Sequence, residues 1–137
     1  MSWRVCGEAW PIMCRRRVFP GTSEQVRAAR DFIRSLLADH SCADDILLVV
    51  SELVSNATRH SRSGLPGGLV VIEVRRWRRW LAVAVIDQGG PSEPVMRPPA
   101  DPLSEGGRGL PTVDACARWW CWRGDTRGRT VTAFFRE

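Results

Sequence analysis

Between residues 43 and 59 the chain carries an apolar stripe at helical spacing: Ile46, Val49, Val50, Leu53, Val54 and Ala57. A helix with so continuous a stripe must lay that face on another apolar surface. Period-two segments supply one. Leu69 to Arg75 and Leu81 to Asp87 read as two strands joined through Trp77 to Trp80, an antiparallel hairpin. Arg118 to Arg123 and Arg129 to Phe135 read as a second pair, turned at Gly124-Asp125-Thr126-Arg127-Gly128. A first helix, N-capped by Ser23 and running to Leu37, puts Val26, Ala29, Ile33, Leu36 and Leu37 on one face. Ser41 and Asp44 predict a shortened capping box for the second helix, from Ala43 to about Arg59. Arg15 to Phe19 reads as a short strand closed by Pro20-Gly21, and Gly107 to Leu110 opens a short helix with Pro111 in its first turn. The order β-α-α-β-β-loop-α-β-β predicts an α+β two-layer sandwich, with helices on one face of a mixed, mostly antiparallel sheet. Residues 1–14 are expected to form an N-terminal arm or extra edge strand, and 15–137 a single domain.

Composition removes several chemistries. All twenty basic residues are arginine, and the chain has neither lysine nor tyrosine. A P-loop lysine on a phosphate, a Schiff-base lysine and a tyrosine nucleophile are therefore excluded. A net charge of +5 favours an acidic partner, a nucleic acid or an anionic surface. The five cysteines include no C-x-x-C pair and the only histidines are His40 and His60, a poor basis for zinc, so reduced thiols are expected. The longest apolar run, Leu81 to Ile86, is far below the roughly 20 residues of a membrane helix. The N-terminus lacks a signal-peptide core, so a soluble, cytoplasmic protein is expected.

Three places can carry chemistry. On the second helix Glu52 and Asn56 lie one turn apart at the border of the stripe, with His60 a further turn on. Asn56 can offer its oxygen to magnesium, and Glu52 can accept a proton from a water or hydroxyl attacking a phosphate; each also fits an ordinary solvated helix position. Asp87 ends an apolar strand and precedes Gln88-Gly89-Gly90. A carboxylate there suits an exocyclic amine such as adenine's, or equally a turn that bonds its own backbone. Gly106-Gly107-Arg108-Gly109-Leu110 precedes a helix, where converging N–H groups favour an anion and Arg108 adds charge. Thr112 stands where a dinucleotide fingerprint has its third glycine, so a plain helix entry is also open.

Taken in order, Glu52-Leu53-Val54-Ser55-Asn56-Ala57-Thr58-Arg59-His60, then Asp87-Gln88-Gly89, then Gly107-Arg108-Gly109-Leu110 resembles the GHKL ATP-binding fold of gyrase, Hsp90, histidine kinases and MutL. Within it the chain is most similar to the small stand-alone anti-sigma-factor serine/threonine kinases. The resemblance runs from about residue 15 to the C-terminus. It implies a sandwich that holds Mg-ATP without a P-loop lysine. Asn56 would hold the magnesium ion, Glu52 would be the catalytic base, and Asp87 would bind the adenine amine, with Gly89 allowing the base to approach. Gly107, Arg108, Gly109 and Leu110 would wrap the phosphates, Thr130 would place a hydroxyl near the adenine, and Gln88 to Gly106 would be the ATP lid. The family's adenine motif usually reads Asp-x-Gly-x-Gly, and here Pro91 stands at the last position.

The resemblance further implies phosphoryl transfer to a serine or threonine of an anti-sigma antagonist, sequestration of a sigma factor, and possible homodimers. A non-catalytic, ATP-dependent partner switch on the same fold is the alternative. A third reading rests on Arg75-Arg76-Trp77-Arg78-Arg79-Trp80, where arginine and tryptophan together suit a nucleic-acid surface; as a hairpin tip, the same run packs tryptophan against arginine stems. Trp119, Trp120 and Trp122 read as core or dimer surface, and Cys116 and Cys121 as small buried hydrophobes.

Overall fold

The computed structural model describes residues 10–91 and 109–137. Its elements are β1 (Met13–Pro20), α1 (Gln25–Leu37), α2 (Ala43–His60), a short 3-10 turn (Arg62–Gly64), β2 (Leu69–Arg76), β3 (Trp80–Asp87), α3 (Gly109–Cys116), β4 (Trp119–Asp125) and β5 (Gly128–Arg136). The strands form one sheet in the order β1-β2-β3-β5-β4. Every pairing is antiparallel, so the expected mixed character is absent among the described strands. The two hairpins, β2–β3 and β4–β5, sit where the sequence places them, and β1 begins at Met13, taking two residues from the expected arm.

The α2 stripe explains the layering. Ile46, Val49, Val50, Leu53, Val54 and Ala57 join Ala29, Ile33 and Leu37 of α1 over Val70, Ile72 and Val74 of β2, Leu81, Val83 and Val85 of β3, and Val131, Ala133 and Phe135 of β5. Side chains alternate along a strand, so these odd-and-even sets define the helix-covered face. The other face carries a smaller cluster of Trp77, Ala82 and Phe134, with Trp80 and Cys121 packed on it. Trp119 stacks on Phe134 with ring centroids 3.9 Å apart and planes 7° from parallel. Trp120 and Trp122, pointing the other way, pack on the main core. The arginine-tryptophan run is thus taken up in structure: Trp77 is buried, Arg75 pairs with Glu73 at 2.6 Å, and Arg76 bridges Glu137 and Asp39 at 3.2 and 3.5 Å. Among the described residues no helix is long and apolar enough to cross a membrane.

Both expected helix caps differ. Backbone carbonyls of Thr22 and Ser23 take the N–H groups of Gln25 and Val26, so α1 opens from a turn with Glu24 at the N-cap and no side-chain bond. At α2 the N-cap is Cys42, without a side-chain cap of its own, and Ser41 with Asp44 makes no capping box. The first helical N–H, that of Ala43, donates to the His40 backbone carbonyl at 3.1 Å, and the ring of His40 meets the N-cap residue itself. Nδ1 of His40 accepts from the Cys42 N–H at 3.0 Å. His40 is buried, and its Nε2 lies 4.0 Å from a Glu137 carboxylate oxygen.

Acceptance at Nδ1 requires that nitrogen to be unprotonated. Burial pushes the His40 pKa below its ordinary 6.5; Glu137 and Asp39 oppose that shift and Arg76 adds to it. The unfolded chain therefore binds a proton more readily than the folded one. The stabilisation is complete above 6.5 and is lost as pH falls from there through the lowered folded value. Urea denaturation at about pH 7.5 and about pH 5.5 should show a larger acid loss in wild type than in His40→Asn, which retains an acceptor without the titration. Equal losses in the two proteins would remove His40 as the cause.

Candidate functional site

The end of α2 and the end of β3 are tied together by short backbone links. Ser61 donates its hydroxyl to the Ala57 carbonyl at 2.6 Å and accepts the Ser63 N–H at 3.1 Å, turning the chain out of the helix. Ser63, fully buried, accepts the Gln88 N–H on its hydroxyl at 3.0 Å. The Arg62 N–H donates to the Gly89 carbonyl at 2.7 Å, and its Nη1 donates to the Thr126 carbonyl at 2.6 Å. The side chain of Gln88 accepts the Leu69 N–H at 2.7 Å. The turn after β3 is therefore held by α2's exit, by the start of β2 and by the β4–β5 turn.

Asp87 sits at that turn, half-buried. One of its oxygens, Oδ1, accepts the Gly89 N–H at 2.7 Å. This is the backbone-bonded turn expected of an aspartate before glycine, and it leaves the second oxygen for another donor. Burial raises the Asp87 pKa above the usual carboxylate range; the Gly89 N–H, the Arg129 charge and the Arg129 backbone N–H act against the shift. Gly89 has φ +77°, and a Cβ there would run into the Thr126 carbonyl.

On α2, Glu52 and Asn56 are both half-buried at the stripe's border. Neither forms a hydrogen bond or ion pair with another described residue. Helix α2 packs on β3 and on α3, so it joins the elements that carry the other two motifs. Gly109 and Leu110 form the first turn of α3, whereas Gly107, Arg108 and the lid expected from Gln88 to Gly106 lie, beyond Pro91, outside the described residues.

Thr130 is not brought to Asp87. The β3–β5 register pairs Thr130 with Ile86 and sets Arg129 opposite Asp87. Thr130 therefore shares the face of Ala84, Thr132 and Phe134, away from the helices. A one-residue difference in strand parity is enough to turn a side chain to the other side. The residue beside Asp87 is Arg129, 5% exposed, whose Nη2 donates to the Gly90 carbonyl at 2.9 Å. Sequence reasoning missed Arg129, Arg62 and Ser63. Counting alternate residues along β5 from the Gly128 turn would have found the first.

Among the described residues no three His, Cys, Asp or Glu side chains converge as a metal cage. Asn56 could offer one carboxamide oxygen to a hard cation such as magnesium, which takes few protein ligands and keeps several waters.

Residues 19–135 match the family model of the histidine kinase-like ATPase domain. The chain belongs to that family. ATP binding follows from membership in an ATPase-domain family. No curated protein sequence matches the chain significantly. Among solved structures, the crystal structure of the RsbU and RsbW domains of Rv1364c from Mycobacterium tuberculosis superposes with a TM-score of 0.67 at 23% identity. The match covers 92% of this chain and 32% of that one, so this chain spans about a third of the length of that solved chain. Its likeness establishes the histidine kinase-like ATPase fold, seen among the described residues as three α-helices on an antiparallel five-stranded sheet.

The turn at Gly89 yields a stability prediction. Gly89→Ala combines an unfavourable φ, worth about 1–2 kcal/mol, with a backbone collision. Gly67→Ala has the same kind of φ, +79°, but nothing within 4 Å of the new methyl group. In chemical denaturation Gly67→Ala should lose about 1 kcal/mol and Gly89→Ala clearly more. Equal losses would mean that the β4–β5 turn does not press on Gly89.

Proposed function

We propose that the chain binds ATP with magnesium where α2, the end of β3 and the start of α3 meet, and acts as a regulator of the anti-sigma-factor kinase type. The observation that supports this best is the Asp87 turn. It offers a half-buried carboxylate with one oxygen fixed by Gly89 and the other without a hydrogen bond among the described residues, on the helix-covered face of the sheet. That oxygen would accept the adenine amine. Asn56 would ligate magnesium, which when bound neutralises phosphate charge, and the first turn of α3 with Gly107 and Arg108 would receive the phosphates. Glu52 would accept the proton of a serine or threonine hydroxyl on an antagonist protein as that oxygen attacks the γ-phosphorus. The bond from that phosphorus to the bridging oxygen breaks, and ADP leaves with the electron pair.

A protein partner with an acidic segment fits an open groove of about 600 Å³ along α1, lined by Arg27, Arg30 and Arg34 with Ser23, Glu24 and Val26. Sequestration of a sigma factor, alternating with binding of its antagonist, is the regulatory role we assign.

One observation favours a second reading, in which ATP only sets which surface is presented. Glu52 has no described neighbour that orients it as a base, and general bases are ordinarily held by a partner. The two readings separate by experiment. Calorimetric titration of Mg-ATP should show binding by wild type that falls at least about tenfold in Asp87→Ala and in Asn56→Ala. Neither heat nor a thermal shift at about millimolar nucleotide would sink both readings. With an antagonist protein present, Glu52→Ala should retain ATP binding and lose phosphoprotein formation by about a hundredfold or more if the chain is a kinase. Unchanged partner exchange in the same variant would favour the switch.

A further inference from the structure

Arg129 is the only buried arginine among the described residues, and its Nε has no hydrogen-bond partner among them. A buried cation short of a partner is costly to keep. Its place in the fold suggests what it does. Opposite Asp87 in the β3–β5 register, it projects from the same face of the sheet. Its Nη2 reaches across to the Gly90 carbonyl at 2.9 Å. The gap is narrow, since a Cβ on Gly90 would lie 2.9 Å from the His60 carbonyl and 3.2 Å from Nη2. Gly90 is thus held between the exit of α2 on one side and the guanidinium on the other, in the turn that carries Asp87.

Other charged groups on the neighbouring elements are engaged elsewhere or exposed. Arg62, from the 3-10 turn, spends its Nη1 on the Thr126 and Gln88 carbonyls. Asp125, from the β4–β5 turn, accepts the Arg127 N–H, and His60 at the end of α2 is exposed. Arg129 is the one whose charge acts on Asp87.

We propose that Arg129 is a positioning residue for base recognition: its buried guanidinium clamps the Gly90 carbonyl and stands as the counter-charge to Asp87, so that the carboxylate meets the base's amine as an anion in a fixed turn. The inference rests on the reading of Asp87 as the base-recognition carboxylate. Burial alone would favour the protonated acid, which opposes a charged hydrogen bond to the amine. The arginine offsets that tendency, and its clamp keeps the free oxygen aimed.

The test uses the full chain. Carbon-13 NMR of the Asp87 carboxyl group gives its titration midpoint in the free protein for wild type, Arg129→Lys and Arg129→Met. The midpoint should rise by about one pH unit or more in Arg129→Met, a tenfold gain in proton affinity, and stay near wild type in Arg129→Lys. Arg129→Gln, which keeps a donor for Gly90 without the charge, supplies the same readout if Arg129→Met does not fold. Calorimetry of Mg-ATP binding from about pH 5 to about pH 8 should then show affinity falling on the acid side at a higher pH in the uncharged variants. An unmoved Asp87 midpoint, or an affinity loss equal at every pH, would overturn the proposal and leave Arg129 a packing residue. Wild type that binds no ATP at any pH would overturn the nucleotide reading instead, and the midpoints in the free protein would still decide whether Arg129 sets the charge of Asp87.

Discussion

The buried hydroxyl of Ser63, accepting the Gln88 N–H, couples the two layers where the candidate site lies. A helix and a strand packed by apolar contacts alone are free to slide by small amounts, because such contacts have no direction. A hydrogen bond inside the structure fixes one atom against another, and an unmet buried N–H would cost about 1–3 kcal/mol. The Arg62 N–H on the Gly89 carbonyl and the Arg62 side chain on Thr126 extend the same tie to the β4–β5 turn. Asp87 inherits its position from this set of bonds. The glutamate and asparagine of α2 inherit theirs from the stripe beneath them, and the tie keeps the two registers consistent.

The layers were legible in the sequence because they depend on local periodicity. Three-and-four spacing placed α2 within a residue of its observed bounds, and the alternation in Leu69 to Arg75 and Arg129 to Phe135 placed the hairpins. What was not legible depends on contacts between distant residues. The entry to α2 is held by His40, whose carbonyl accepts the Ala43 N–H and whose ring accepts the Cys42 N–H, and a Ser/Asp spacing rule has no knowledge of that residue. Thr130 carried the expected hydroxyl, but its direction is set by where β5 pairs with β3, forty-four residues back in the chain at Ile86. A register of that kind is decided by the turn and the core together. Arg129 was one of twenty arginines, and nothing in composition marks the one that is buried among the described residues.

That burial also bears on how a lysine-free chain handles charge. Arginine is a delocalised, weakly hydrated cation with a planar fork of donors, so it tolerates partial desolvation better than an ammonium does. Here the fork grips the Gly90 carbonyl from a strand position directly opposite Asp87. A lysine would carry the charge without the fork. The all-arginine composition therefore matters locally at this position, whatever its origin elsewhere in the chain.

The outer face of the sheet accounts for Trp77, Trp80 and Trp119 and for part of the arginine cluster around them. Strand β3 is apolar on both sides, with Ala82 and Ala84 buried opposite Leu81 and Val83, so its outer side needs a cover that the helices cannot provide. Trp77, Trp80 and Phe134 supply it, and Trp119 extends it by stacking on Phe134. The surrounding cations are then drawn to acidic groups and ring faces: Arg16 and Arg75 to Glu73, Arg76 to Glu137, Arg136 over Trp80 at 6.0 Å. A basic, tryptophan-rich segment therefore arises here from the need to insulate one apolar strand. Its charge density gives weak support to nucleic-acid binding, since the aromatic faces that would stack on bases are already against the sheet.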